Sequence, residues 1–174
     1  MPGHDTLRGT AMSRFRAHQK DVSQQMNRQK VLFVCVHNGG RSQMAEAWLN
    51  HLCADRFAAE SAGLEPGALD PLVVEVMREA GIDISHKKTR AVDDVLKAGT
   101  PFAYVVTVCD ETSAEQCPIF PGEAKQLHWS FPDPAALTGT REERLAQVRA
   151  IRDTIKKRIE AWCAETACTD HPSR

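Results

Sequence analysis

The sequence predicts an α/β fold: a single domain with a four-stranded parallel sheet and helices on both faces. Four short apolar segments, at 31–36, 57–62, 104–108 and 126–129, alternate with helical segments along the chain. That alternation is what a parallel sheet with crossover helices requires, and right-handed crossovers leave few topologies open. Val31-Leu32-Phe33-Val34 and Tyr104-Val105-Val106-Thr107-Val108 are apolar at nearly every position rather than every second one. Such runs suit strands buried on both faces.

The first strand runs Val31 to Val36 and gives way to a glycine pair and then a helix over 42–53, with Met44, Trp48 and Leu52 on one face. Phe57 to Ala62 forms a short second strand closed by Gly63. Asp70-Pro71 opens the next helix with an N-cap acid and a first-turn proline. Val73, Val76, Met77 and Ala80 are its apolar stripe, and Gly81 ends it at C′. A short helix follows near 91–98, then the strand at Tyr104–Val108 and a shorter one at Gln126–Trp129. Thr140 and Glu143 make a capping box. Beyond it Leu145, Val148, Ile151, Ile155, Ile159 and Trp162 step by three and four, giving a long amphipathic last helix.

At 174 residues, with 42% hydrophobic and 26% charged residues, the chain has the size and make-up of one globular domain. A formal charge of −1 gives no reason to expect nucleic acid or an anionic membrane as partner. Residues 1–29 are polar, have no apolar signal core and are expected to be a disordered extension; the domain is expected over 30–165, with a frayed tail at 166–174. No run reaches membrane-spanning length, and the expected location is the cytoplasm. The cysteines at 35, 53, 109, 117, 163 and 168 are therefore expected as free thiols rather than as a disulfide framework. Cys53 reads as core, and Cys163 with Cys168 as an incidental pair near the C-terminus.

Cys35 carries the chemistry. It ends the first strand, and Val36-His37-Asn38-Gly39-Gly40-Arg41-Ser42 leads directly into a helix. A strand, a glycine turn and a helix start aim several backbone N–H groups at one point. Arg41 adds a planar fork suited to tetrahedral oxyanions, and the same positive field favours a thiolate at Cys35. Oxyanion binding is assigned to His37, Asn38, Gly39, Gly40, Arg41 and Ser42, with His37 contributing its amide while its ring faces outward.

Cys109 follows the third strand, so it falls on the same sheet edge as Cys35, where ligands of open α/β sheets bind. Cys117 comes eight residues later, across a polar loop with no large apolar residue. The spacing disfavours zinc, for which cysteines pair two to four residues apart. A working redox pair and a structural disulfide both remain open for it. Asp133 stands between Pro132 and Pro134, which hold its carboxyl in a stiff loop where it can serve as a proton donor or merely mark a turn.

Taken together, Cys35-x₅-Arg41-Ser42 with Gln43-Met44-Ala45-Glu46-Ala47, Ser61-Ala62-Gly63, Val105-Val106-Thr107-Val108-Cys109, Cys117-Pro118 and His128-Trp129 up to Asp133-Pro134 resemble one family. It is the thioredoxin-coupled arsenate reductases on the low-molecular-weight tyrosine phosphatase fold, with its flavodoxin-like topology. The resemblance covers about residues 30–160. It implies reduction of arsenate to arsenite through a Cys35–Cys109–Cys117 relay, with Arg41 on the oxyanion, Ser42 on the thiolate and Asp133 as proton donor. It further implies no bound cofactor, an external thiol reductant such as thioredoxin, and phosphate or sulfate as competing oxyanions. Relatives that hold potassium beside the loop use an asparagine, a glutamate, a serine and an aspartate. Asn38, Glu46 and Ser61 match, but Ala91 stands in the aspartate's place, which puts a potassium site in question. The Cys109-to-Cys117 step is eight where relatives often show seven, and the Gly39-Gly40 pair is expected to loosen the empty loop.

Two rivals stand beside this reading. A phosphatase acting on phosphotyrosine or small phosphate esters needs Cys35, Arg41 and Asp133 but neither Cys109 nor Cys117. An oxyanion-sensing module needs a second, partner-binding element that the sequence does not supply.

Overall fold

The computed structural model describes residues 19–20, 22–23, 27–110, 120 and 122–169. Cys117 and most of the expected N-terminal extension lie outside them. In chain order the elements are β1 (Gln29–Cys35), α1 (Arg41–Leu52), β2 (Phe57–Gly63), α2 (Pro71–Glu79), α3 (Val92–Lys97), β3 (Tyr104–Thr107), β4 (Lys125–His128), a 3₁₀ turn (Pro134–Ala136) and α4 (Arg141–Thr169).

All four strands are parallel, in the order β2-β1-β3-β4. The chain leaves β1 toward one side and later returns to its other side, which opens a crevice between the carboxyl ends of β1 and β3. Side chains of β1 alternate between two cores. Val31, Phe33 and Cys35 face α1, α2 and α4, while Leu32 and Val34 face Val92 and Val95 of α3. Both faces of the sheet are thus covered, as the unbroken apolar runs of β1 require.

Local signals place the helix ends. Asp70 accepts the Leu72 N–H at 2.9 Å ahead of Pro71. At the other end of α2, Gly81 (φ +85°) donates to the Arg78 carbonyl and Ile82 to that of Met77. This paired closure needs a residue with left-handed φ, which glycine adopts without a Cβ penalty. Thr140 and Glu143 bond reciprocally at the start of α4.

Two features differ from expectation. Leu52 is more than a third exposed, because α1 ends there and the buried place passes to Cys53. Cys53 is not a free thiol: it is disulfide-bonded to Cys163, which α4 presents inward, and Cys168 is left free and exposed. The expected Cys163–Cys168 pair is therefore replaced by a cross-link between the end of α1 and α4. α4 itself continues to Thr169, and Arg56 holds its last turns by donating to the Cys163 carbonyl (2.8 Å) and to Thr166 Oγ1 (2.6 Å).

Candidate active site

The loop between β1 and α1 is shaped by where its carbonyls go. Those of Cys35, Val36, His37 and Gly39 accept N–H groups of Leu64, Glu65, Gly67 and Asp70, at 2.8–3.1 Å. A trans peptide points its N–H opposite its carbonyl, so the amides that follow Val36, His37 and Gly39 are turned inward. The Asn38 N–H accordingly lies 3.2 Å from Cys35 Sγ. α1 begins at Arg41 with Gly40 as N-cap and no side-chain cap, leaving first-turn N–H groups open to an anion.

Close approach explains the glycines. A Cβ at Gly39 would stand 2.5 Å from the Ala68 carbonyl oxygen, and one at Gly63 would stand 2.8 Å from the Asn38 nitrogen. A Cβ at Gly40 would press on Pro134 and Val73 at 3.3–3.4 Å. The pair thus lets the loop pack down on the 67–70 segment, and the loop is tied at four carbonyls rather than loose.

Ser42 Oγ lies 2.9 Å from Cys35 Sγ and accepts Asn38 Nδ2 at 2.8 Å. Having accepted that amide, Ser42 still carries its one hydrogen, which can be donated to the sulfur 2.9 Å away. Asn38 is the only non-glycine residue with positive φ (55°) among the described residues. Its Oδ1 accepts the Arg90 N–H at 3.0 Å and Gln43 Nε2 at 3.2 Å, so a wholly buried side chain fixes the strained residue from three sides.

These contacts also decide the potassium question. Asn38 Oδ1 is filled by two N–H donors, and Glu46 accepts Ser61 Oγ and forms an ion pair with the Lys87 ammonium. A lysine cation already neutralises the glutamate, and Ala91 offers no side-chain donor. Gln43 Oε1 is buried without a partner, but one neutral oxygen is not a cation site. The residues do not fit a bound potassium ion.

Arg41 is almost wholly buried. Its guanidinium donates to the Phe131 carbonyl at 3.2 Å and faces Asp133 at 3.6 Å and Asp110 at 3.9 Å. Asp133 Oδ1 accepts the Ala135 N–H at 3.0 Å, which leaves Oδ2 turned to Arg41. Cys35, Arg41, Asp133, Gly67, Ala68 and Pro134 line a cleft of about 280 Å³, and no phenylalanine, tyrosine or tryptophan lines it among the described residues. A larger hollow lies at the other end of the sheet, around Arg28, Lys30 and Phe102, and holds none of the predicted site residues.

Cys109 is fully buried just past β3, with Sγ 3.8 Å from the Val34 carbonyl oxygen, next to Cys35 in sequence. Both cysteines therefore stand at the carboxyl edge of the sheet, at the ends of paired strands, although Cys109 does not line the cleft. His37 is exposed, with its Nδ1 3.0 Å from the Glu65 carbonyl oxygen, and it lines the cleft beside Cys35 and Arg41. Sequence reading missed Gln43, Arg90, the Phe131 carbonyl and Asp110. Backbone groups carry no residue-type signal, and Asp110 registered only as part of a polar loop.

The sequence model of the family described as Low molecular weight phosphotyrosine protein phosphatase matches residues 30–170. The arsenate reductase of Bacillus licheniformis is 41% identical over 142 residues, which is 81% of this chain and 99% of that protein. That of Bacillus subtilis is 39% identical over 142 residues, with the same coverage. Among solved structures, the thioredoxin-dependent arsenate reductase of Corynebacterium glutamicum aligns with a TM-score of 0.53 at 29% identity, covering 87% of this chain and 73% of that one.

Proposed function

Because the chain belongs to the low molecular weight phosphotyrosine protein phosphatase family, we propose that its oxyanion cradle works with a second thiol, making it an arsenate reductase. Arsenate enters the cleft and is held by the inward N–H groups of residues 37–42 and by Arg41, whose planar fork matches two of its oxygens. Cys35 thiolate attacks arsenic while Asp133 protonates the departing oxygen, and water leaves behind a Cys35–S–arsenic(V) adduct. Ser42 holds the thiolate before attack by donating from Oγ.

Cys109 thiolate then attacks the Cys35 sulfur. An S–S bond forms, the S–As bond breaks, and its electron pair reduces arsenic from the +5 to the +3 state as arsenite departs. Cys117 attacks Cys109 in turn, releasing Cys35 as thiolate and leaving a Cys109–Cys117 disulfide. A thioredoxin-like dithiol reduces that bond in the cytoplasm. Phosphate and sulfate share the oxyanion's shape and compete for the cradle without accepting electrons.

The observation that carries this reading is Cys109, buried beside Cys35 at the end of the adjoining strand. A phosphatase has no use for a thiol there, and among the described residues the cleft has no aromatic wall for a phosphotyrosine ring to stack on. The test is turnover with thioredoxin, thioredoxin reductase and arsenate. Cys109→Ser and Cys117→Ser should each abolish repeated turnover while hydrolysis of a small aryl phosphate survives. Full turnover in Cys117→Ser would refute the relay, and hydrolysis of the aryl phosphate with no arsenate reduction in the unmodified chain would favour the phosphatase.

A further inference from the structure

Two sulfurs meet away from the oxyanion cradle. Cys53, at the end of α1, and Cys163, on α4, are joined across 110 residues, and each is only 8% exposed. The relay through Cys35, Cys109 and Cys117 uses neither. Their meeting is held by more than the bond between them. The Cys53 N–H donates to the Leu49 carbonyl, and its own carbonyl accepts the Arg56 and Phe57 N–H groups, all at 3.0–3.1 Å. The Arg56 side chain then donates to the Cys163 carbonyl at 2.8 Å, and the rings of Phe57 and Trp162 pack with centroids 4.8 Å apart. A dithiol reductant that opens the disulfide by exchange, becoming oxidised itself, therefore leaves a preorganised pair of thiols behind.

What such a pair can hold follows from what surrounds it. Among the described residues, no cluster of three or more histidine, cysteine or carboxylate side chains is placed to hold a metal ion. A tetrahedral zinc ion bound here would stand two protein ligands short. Trivalent arsenic needs three ligands in all and is soft enough to prefer sulfur. Two thiols satisfy it when one hydroxyl stays: the two S–H groups and arsenous acid, As(OH)₃, give S–As(OH)–S and two waters. Two As–O bonds break, two S–As bonds form, both thiol protons leave in the water, and arsenic stays in the +3 state. Every participant is neutral, so no charge enters the apolar cluster that contains both cysteines. The inserted arsenic also lengthens the bridge, which suits Cα atoms 6.9 Å apart, at the wide end of disulfide spacing.

We propose that Cys53 and Cys163, once reduced, form a second, non-catalytic site that captures arsenite, the product released from the cradle. The choice of ligand rests on the chain being an arsenate reductase. Under reducing conditions the arsenic bridge renews the tie between α4 and α1, the helix whose first turn carries Arg41 and Ser42.

The test uses the full chain carrying Cys35→Ser, Cys109→Ser and Cys117→Ser, reduced by a phosphine, with arsenite as probe. Native mass spectrometry should show one arsenic bound with the loss of two waters. Arsenite at about a hundred times its dissociation constant should raise the melting temperature by about 5–10 °C. Adding Cys53→Ser or Cys163→Ser should remove both effects, adding Cys168→Ser should remove neither, and the chain with the disulfide intact should gain no arsenic at this pair. Should the triple variant fail to fold, the reduced chain with all other cysteines in place serves instead, and Cys53→Ser should then lower its arsenic count by one. No uptake, or an uptake that survives Cys53→Ser, would overturn the site. Uptake by the pair in a chain that reduces no arsenate would uphold the thiol site and overturn the reductase, and arsenate turnover without that uptake would do the reverse.

Discussion

Replacing Asn38 by alanine tests whether the loop is held by this residue as its geometry demands. The side chain makes three hydrogen bonds, donating to Ser42 Oγ and accepting from Gln43 Nε2, both buried, and accepting from the part-buried Arg90 N–H. Their losses are unequal. Gln43 Nε2 keeps the Lys88 carbonyl at 3.3 Å, and Ser42 keeps Cys35, so each of these costs about 1 kcal/mol. The Arg90 N–H loses its side-chain acceptor in a part-buried place, at about 1–3 kcal/mol. Alanine must also hold φ at +55° without asparagine's local polar compensation, for about 1 kcal/mol more. The total of about 4–6 kcal/mol is a large part of the stability of an ordinary domain. Urea denaturation should show that loss for Asn38→Ala and about 1 kcal/mol less for Asn38→Gly, which keeps the left-handed backbone at no steric cost. Iodoacetamide should label Cys35 faster in both. An Asn38→Ala loss below about 1 kcal/mol, or a glycine variant as unstable as the alanine one, would refute the reasoning.

Exchanging potassium for sodium or a bulky ammonium at fixed ionic strength should leave the KM for arsenate within about twofold, since Lys87 already neutralises Glu46. Lys87→Met should destabilise the fold by about 1–3 kcal/mol in urea titration, less than for a fully buried pair because Lys87 is a third exposed. Dithiothreitol should lower the melting temperature of the unmodified chain by opening Cys53–Cys163, which closes a 110-residue separation, for a loss of about 2–4 kcal/mol; Cys53→Ser should show the lower value with or without reductant. Glu79, on α2, is hydrogen-bonded by Arg149 and paired with Arg152 on α4, and this lowers its carboxyl below the usual 4.5. A lowered folded value contributes stability above pH 4.5 that is lost as pH falls further, so acid titration of Glu79→Gln should show a shallower decline below that pH.

What could be read from the sequence is what acts over a few residues. Asp70-Pro71, Gly81 and the Thr140–Glu143 pair signal helix ends through bonds that span two to five positions, and each is made. The sheet follows because β1 and β3 are apolar on both faces and need helices on either side. Leu52 and the cysteine pairing escaped because they depend on where α1 ends against α4. Cys163 and Cys168 are near in sequence, yet α4 turns Cys163 inward toward Cys53 and leaves Cys168 outside. Helical phase, not sequence distance, decided the partner.

The site divides along the same line. Residues 35–42 form the cradle within one contiguous stretch, so Cys35, the glycines, Arg41 and Ser42 could be recognised together. What pins that stretch is remote: Gly63 yields space beneath Asn38, Arg90 donates its backbone N–H, and the Phe131 carbonyl holds the guanidinium. None of these has a residue-type requirement that a single sequence displays, and Gly63 read only as the end of a strand. Cys109 stands between the two cases. Its place after an apolar run was legible, but its nearness to Cys35 comes from β3 pairing with β1 rather than with β2. Were β3 on the outer side of β2, the same loop and the same cysteines would form an oxyanion site with no thiol within reach. The strand order therefore converts a cradle that could serve ester hydrolysis into one where sulfur can be attacked by sulfur, and Asp110, carried on the same strand's end, comes within reach of Arg41 for the same reason.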